Sequence, residues 1–199
     1  MKTSGRELRD LLLAWLALGL AFTFFLEGVP EVSESGAFPV EGFALAFLGV
    51  LATAGAGFLL HELAHKVVAI RFGQRAEFRA DYGMLFIAII GGLAGFLFAA
   101  PGAVHHRGRI TDREHGLIAL AGPMTNLGLA ALFVPVYLIN QDIGGLGVFI
   151  NVVLAAFNMI PFGPLDGKTV FSWSKIVFAV VFLSSAALTV FLFTRGIGL

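Results

Sequence analysis

The sequence predicts a mainly α-helical, multi-pass membrane protein with about five transmembrane helices and one further segment that enters the bilayer and returns. Three observations carry this expectation. Of 199 residues, 58% are hydrophobic and only 13% are charged, about half the charged fraction of a soluble domain. Apolar runs long enough to cross a bilayer recur along the chain. Basic residues gather at alternate ends of those runs. One integral membrane domain over residues 1–199 is expected, without a separate soluble domain. The absence of cysteine excludes disulfides and thiolate metal sites. A net charge of zero argues against a nucleic-acid partner.

The elements follow in order. Residues 1–10 carry Lys2, Arg6 and Arg9, ahead of an apolar run over 11–26. A signal peptide begins the same way, but Glu27-Gly28-Val29-Pro30 offers no small-x-small cleavage pattern, so the run is read as a first membrane helix. The connection 27–41 holds Glu27, Glu31, Glu34 and Glu41 and no basic residue. The positive-inside rule therefore places the N-terminus in the cytoplasm and this loop outside. A second helix over 42–72 runs inward and ends among Lys66, Arg71, Arg75 and Arg79.

The apolar segment 84–100 is close to spanning length. If it crossed, His105, His106, Arg107, Arg109 and Arg113 would lie outside the cell, which the charge rule opposes. It is read as re-entrant, with Gly91-Gly92 as the turn of a β-hairpin; a short tilted helix is the other form. Irregular backbone at that depth needs protein or a wet cavity beside it, so the segment is expected next to the second helix.

A third span covers 116–139, where Gly122 and Gly128 permit close helix approach and Pro123 loosens the backbone. An outer loop, 140–144, leads to a fourth span over 145–160. Two prolines and two glycines between Asn158 and Lys168 must then break the helix. Lys168 and Lys175 hold the next connection inside, and 176–193 leaves the cell again. This topology strands one basic residue of 13 outside, Arg195.

The chemistry centres on His61-Glu62-Leu63-Ala64-His65 in the second helix. On a helix, His61 and His65 lie one turn apart on one face, so two imidazoles converge on one ion while Glu62 leans toward an open coordination position. Zinc accepts neutral imidazole and carboxylate ligands, and a catalytic site keeps one position for water. Chance placement on a solvated helix explains such a string in a soluble chain. Within an apolar span, each ionisable group costs about 2.5–3.5 kcal/mol to insert, and a bound divalent metal offsets that cost.

A third ligand is then required. Glu62 and Asp166 are the acidic residues in the membrane-facing parts of the cytoplasmic half, and the topology brings Asp166 to the histidine end. A turn aspartate is the plainer reading of Leu165-Asp166-Gly167, but the broken helix ahead of it favours a ligand. The expected set is one Zn2+ per chain on His61, His65 and Asp166, with Glu62 as general base. His105 and His106 are expected to be solvated loop histidines and His115 an interfacial one. Asn126 is expected either to meet a ligand or substrate or to join helices. The 21 phenylalanines read as lipid-facing or packing residues.

His61-Glu62-x-x-His65, Ala121-Gly122-Pro123 with Asn126, and Asn158-x-x-Pro161 followed by Leu165-Asp166-Gly167 occur in an order that resembles the site-2 protease family of intramembrane zinc metalloproteases. The likeness covers about 43–168. It implies zinc on His61, His65 and Asp166, Glu62 as catalytic base, and Asn158 holding substrate backbone or the developing oxyanion. It also implies membrane-entering strands around 84–104 that pair with an extended substrate. Asp166-Gly167-Lys168 departs from the Asp-Gly-Gly of many members, the stretch 84–100 is longer than the minimal pattern, and neither an inserted PDZ-like domain nor a C-terminal nucleotide-sensing domain is expected.

The expectation is a cell-membrane endopeptidase acting on transmembrane or membrane-anchored proteins, with its site toward the cytoplasm. A non-proteolytic membrane protein that binds or moves divalent metal is the alternative from another class. The outer halves of the spans, nearly free of ionisable residues, weigh against a transport pathway. An inactive relative serving as a binding partner is the third reading, and the intact Glu62 weighs against it.

Overall fold

The computed structural model describes residues 3–28, 30, 39–96 and 101–198. Most of the acidic connection, including Glu31 and Glu34, and residues 97–100 of the expected re-entrant segment lie outside them, as does Lys2. In chain order the elements are α1 (Gly5–Glu27), α2 (Val40–Val50), a π-helical turn (Leu51–Gly55), α3 (Ala56–Arg71), β1 (Arg75–Ala80), α4 (Tyr82–Leu93), β2 (Gly102–Arg107), α5 (Asp112–Ile139), α6 (Gln141–Asn158), α7 (Asp166–Trp173) and α8 (Lys175–Thr194). Among the described residues, five helices are long and apolar enough to cross a membrane: α1, the continuous Val40–Arg71, α5, α6 and α8. The architecture is that of a mainly α multi-pass membrane protein.

The chain forms two compact units, one of Lys2–Ala56 with Phe78–Ala103, the other of Gly57–Glu77 with Val104–Leu199. In the first, the Ser4 hydroxyl accepts from the Glu7 amide at 3.1 Å and starts α1. Gly92 of α4 sits directly on the Ala21 carbonyl of α1, leaving no room for a Cβ. The Trp15 indole donates to the Leu51 carbonyl at 3.1 Å and lies against Gly55, so a side chain is wedged where the helix opens into the π turn.

Two acids buried early in α1, Glu7 and Asp10, hold the passage from β1 to α4. Glu7 accepts from the Phe78 amide at 3.1 Å, and Asp10 accepts from the Tyr82 hydroxyl at 2.6 Å with Arg79 3.8 Å away. Hydrogen bonds of this charge-assisted kind contribute about 1.5–3 kcal/mol each.

Of the segment 84–100, expected as a β-hairpin or a short tilted helix, the residues up to Leu93 take the helical form. Asp81 caps α4 by accepting from the Met84 amide at 3.0 Å, and Gly91 and Gly92 lie inside it, serving close packing and not a turn. The strands flank it instead. The Asp81 amide donates to the Pro101 carbonyl at one end, and Gln74 lies beside Gly108 at the other, so β1 and β2 run antiparallel. His105 and His106 thus belong to a strand, and the His106 ring meets His115 edge-on at 5.5 Å.

In the second unit, α5 opens with a reciprocal cap: the Thr111 hydroxyl accepts from the Glu114 amide at 3.2 Å, and the Glu114 carboxylate accepts from the Thr111 amide at 2.8 Å. The expected loop 140–144 shrinks to Asn140, whose side chain caps α6 through the Ile143 amide at 3.0 Å. Gly144 against the Tyr137 backbone and Gly147 against the Phe133 ring allow that sharp reversal. Between α6 and α7 the chain is irregular, and Gly167 fits against the Met159 carbonyl where a Cβ would not. Ala119, Met159, Val170 and Val181 form one core cluster, and Ala130, Val152 and Leu192 another. Leu138, Val180, Leu183, Phe191 and Phe193 stay exposed, as side chains facing acyl chains do.

Candidate metal centre

His61, Glu62 and His65 are buried on α3. One helical turn separates the histidines, and their rings meet edge to face at 4.6 Å. Each ring is fixed through Nδ1. His65 Nδ1 lies 2.7 Å from the Ile118 carbonyl, which can only accept, so that nitrogen carries a proton and, in the neutral ring, Nε2 keeps its lone pair. Pro123 provides no amide for the neighbouring Ala119 carbonyl, which loosens α5 where His65 binds it. His61 Nδ1 lies 2.6 Å from Asn126 Oδ1.

Asp166, the first residue of α7, places Oδ2 3.2 Å from His61 Nε2 and 3.3 Å from His65 Nε2. One ligand atom from each of the three residues falls within 4.8 Å of the others. Asp166 Oδ2 is buried and has no hydrogen-bond partner. With both rings in the neutral form that a metal requires, two imidazole lone pairs and a carboxylate oxygen face one another, an arrangement that a cation between them stabilises. Ligands about 2.0–2.1 Å from a tetrahedral ion stand roughly 3.3–3.4 Å apart, close to the spacing of both histidines from Asp166. The donor set suits zinc: borderline nitrogen ligands, one carboxylate and no thiolate.

Close packing shapes this space. A Cβ on Gly122 would lie 2.5 Å from His61 Cε1, His61 Nε2 and His65 Nε2, so α5 meets the histidines only because glycine stands there. The Val104 backbone of β2 lies beside the Glu62 carboxylate. A cavity of about 400 Å³, lined by Asp112, His115, Leu165, Lys168, Thr169 and Ser172 among others, opens next to the Asp166 turn.

Of the residues singled out in the sequence, His61, His65 and Asp166 come together, and Glu62 accompanies them on α3. Asn126 bonds the candidate ligand His61 and also joins helices, through the Gly57 carbonyl at 3.2 Å and Asn151 Oδ1 at 3.0 Å. Asn158 bonds within its own helix, its Nδ2 donating to the Leu154 carbonyl at 2.9 Å. Asn151 escaped the sequence reading, although an amide in the middle of the apolar run of α6 was a signal in its own right.

Comparison with known proteins adds independent findings. The chain is 39% identical over 186 residues to the protein of Methanocaldococcus jannaschii named "Putative zinc metalloprotease MJ0611", an alignment covering 89% of this chain and 90% of that relative. It is 31% identical over 138 residues to "Putative zinc metalloprotease YwhC" of Bacillus subtilis, covering 55% of this chain and 61% of that protein. No protein-family model matches the chain, and no solved structure matches it.

Proposed function

The chain belongs to the zinc metalloprotease family of its Methanocaldococcus relative, and on that premise we propose that it is an intramembrane endopeptidase of the site-2 protease type. One observation carries the reading: Asp166 meets His61 and His65, which lie on a helix long and apolar enough to cross a membrane. His61, His65 and Asp166 hold one zinc ion, which when bound polarises the scissile carbonyl and makes water acidic near neutrality. Glu62 takes the proton of the attacking water and returns it to the departing amine.

Substrate is a membrane-anchored or transmembrane protein, unwound at the cut. Its extended backbone adds to the small sheet near β2, whose Val104 adjoins Glu62. Asn158 turns from Leu154 to the substrate backbone or the oxyanion. Water reaches the site through the cavity beside Leu165, whose lining includes Asp112, His115 and Lys168. The active site lies toward the cytoplasm, a placement supported by Lys66, Arg71, Arg75, Arg79, Lys168 and Lys175 gathered at that end.

Reconstitution with a panel of single-span reporter proteins in liposomes tests this. Wild type should cleave inside or at the edge of a span, and Glu62→Gln should keep its zinc while losing at least about 100-fold in rate, the lower end of general-base contributions. Equal activity in the Glu62→Gln protein would remove the base from the mechanism. No Glu62-dependent cleavage of any reporter would favour a metal-binding protein without protease activity.

A further inference from the structure

The two histidines are held in different ways. His65 is fixed directly by backbone, whereas His61 rests on a side-chain relay. We propose that Asn151 is a positioning residue for the metal centre, acting through Asn126 to hold His61 with its proton on Nδ1 and its Nε2 free for zinc. The proposal rests on the zinc reading above.

The direction of the relay follows from its two backbone ends. The Gly147 carbonyl can only accept, so the Asn151 group 2.9 Å from it is the NH2. Asn151 must then turn its oxygen to Asn126, whose Nδ2 lies 3.0 Å away. The Gly57 carbonyl, likewise only an acceptor, takes the other Asn126 hydrogen at 3.2 Å. With both hydrogens engaged, Asn126 has only its oxygen to offer His61, and the 2.6 Å contact requires the proton on Nδ1. The alternative Asn126 rotamer would set oxygen against two oxygens and push the His61 proton onto Nε2, the atom that faces Asp166.

Both amides are fully buried, at 0% exposure, so no solvent competes for these bonds. Gly57 is part of the device: a Cβ there would lie 2.5 Å from Asn151 Oδ1 and 3.4 Å from Asn126 Nδ2. Groups that orient metal-bound histidines typically bring about 10–100-fold in affinity. Asn151 thereby gains a metal-dependent role although it touches no ligand.

The test measures zinc content and zinc affinity, by chelator competition, of the full-length protein in detergent. Wild type is compared with Asn151→Leu, Asn151→Asp and Gly57→Ala. Leucine removes the acceptor at similar volume; aspartate retains an oxygen toward Asn126; the alanine variant displaces the relay without deleting a polar atom. Asn151→Leu and Gly57→Ala should bind zinc about 10–100-fold more weakly, with Asn151→Asp closer to wild type. Cobalt-loaded protein should show altered visible bands in the same two variants. Ser185→Ala, which removes an equally buried hydroxyl bonded to the Val181 carbonyl, controls for general loosening and should leave zinc affinity unchanged. Should Asn151→Leu misfold, Gly57→Ala carries the test. Zinc-loaded wild type with no weakening in either relay variant, or with equal weakening in Ser185→Ala, overturns the positioning role alone. Wild type that binds no zinc overturns the metal reading and this proposal with it.

Discussion

Replacing Gly122 with alanine puts a methyl group where the two imidazoles lie. The new Cβ would stand 2.5 Å from His61 Nε2 and from His65 Nε2, whereas ordinary contact begins at 3.4 Å, so the rings must withdraw by 3.4 − 2.5 = 0.9 Å. Both are pinned on the opposite edge by Nδ1 bonds of 2.6 and 2.7 Å, and withdrawal must break one of these or carry Nε2 away from Asp166. Zinc sites tolerate about 0.2 Å in ligand distance, several times less than the required shift. Zinc affinity should therefore fall about 100-fold, equivalent to about 2.7 kcal/mol. Zinc per chain and affinity by chelator competition would be read for Gly122→Ala beside Gly128→Ala, a position on the same helix with no heavy atom within 4 Å. Alanine favours helix over glycine by up to about 1 kcal/mol, so weaker α5 helicity cannot account for the loss. Gly122→Ala protein with wild-type affinity would show that the metal is held elsewhere or that the helix gives way freely.

Two further outcomes are expected. Tyr82→Phe removes the 2.6 Å hydrogen bond to buried Asp10 and should lower the local stability of residues 75–93 by about 1.5–3 kcal/mol, read by amide hydrogen exchange; unchanged protection there would mean that the clasp is idle. Zinc binding requires Nε2 of both histidines free of protons, so falling pH should release zinc as protons compete for those nitrogens, read as zinc per chain across a pH series. Zinc retained at full occupancy at pH 4 would contradict a two-histidine site.

The long spans are legible because length and apolar composition act over a whole helix. The observed bounds agree best at the C-terminal ends, the third span stopping at Ile139 as expected, and depart most at N-termini such as Gly5 and Asp112, where caps such as Ser4, Thr111 and Asn140 extend or join the helices. The meeting of residue 61 with residue 166 is legible because few acids stand at that depth and each has a high insertion cost. The form of residues 84–100 is not legible from local pattern. Gly91-Gly92 reads equally as a turn or as a contact surface, and only the Ala21 carbonyl beneath Gly92 decides between them. The strands Arg75–Ala80 and Gly102–Arg107 pair across the whole of α4, so neither neighbourhood announces the other. The π turn depends on where Trp15 docks, and α7 follows too closely on a proline-rich break for periodicity to show it.

The convergence of α3 and α7 has a mechanical consequence as well. His65 and Asp166 are 166 − 65 = 101 positions apart in a protein without a single cysteine. An ion shared between them, as proposed, would close that long loop as a disulfide does, but with a fastener that a chelator can withdraw. In a free chain, tying a loop of about 100 residues is worth roughly 5 kcal/mol, and helices already threaded through a bilayer retain part of that. On the proposed zinc site, metal supply would then bear on how long α3 and α7 stay fastened together, apart from any role in catalysis.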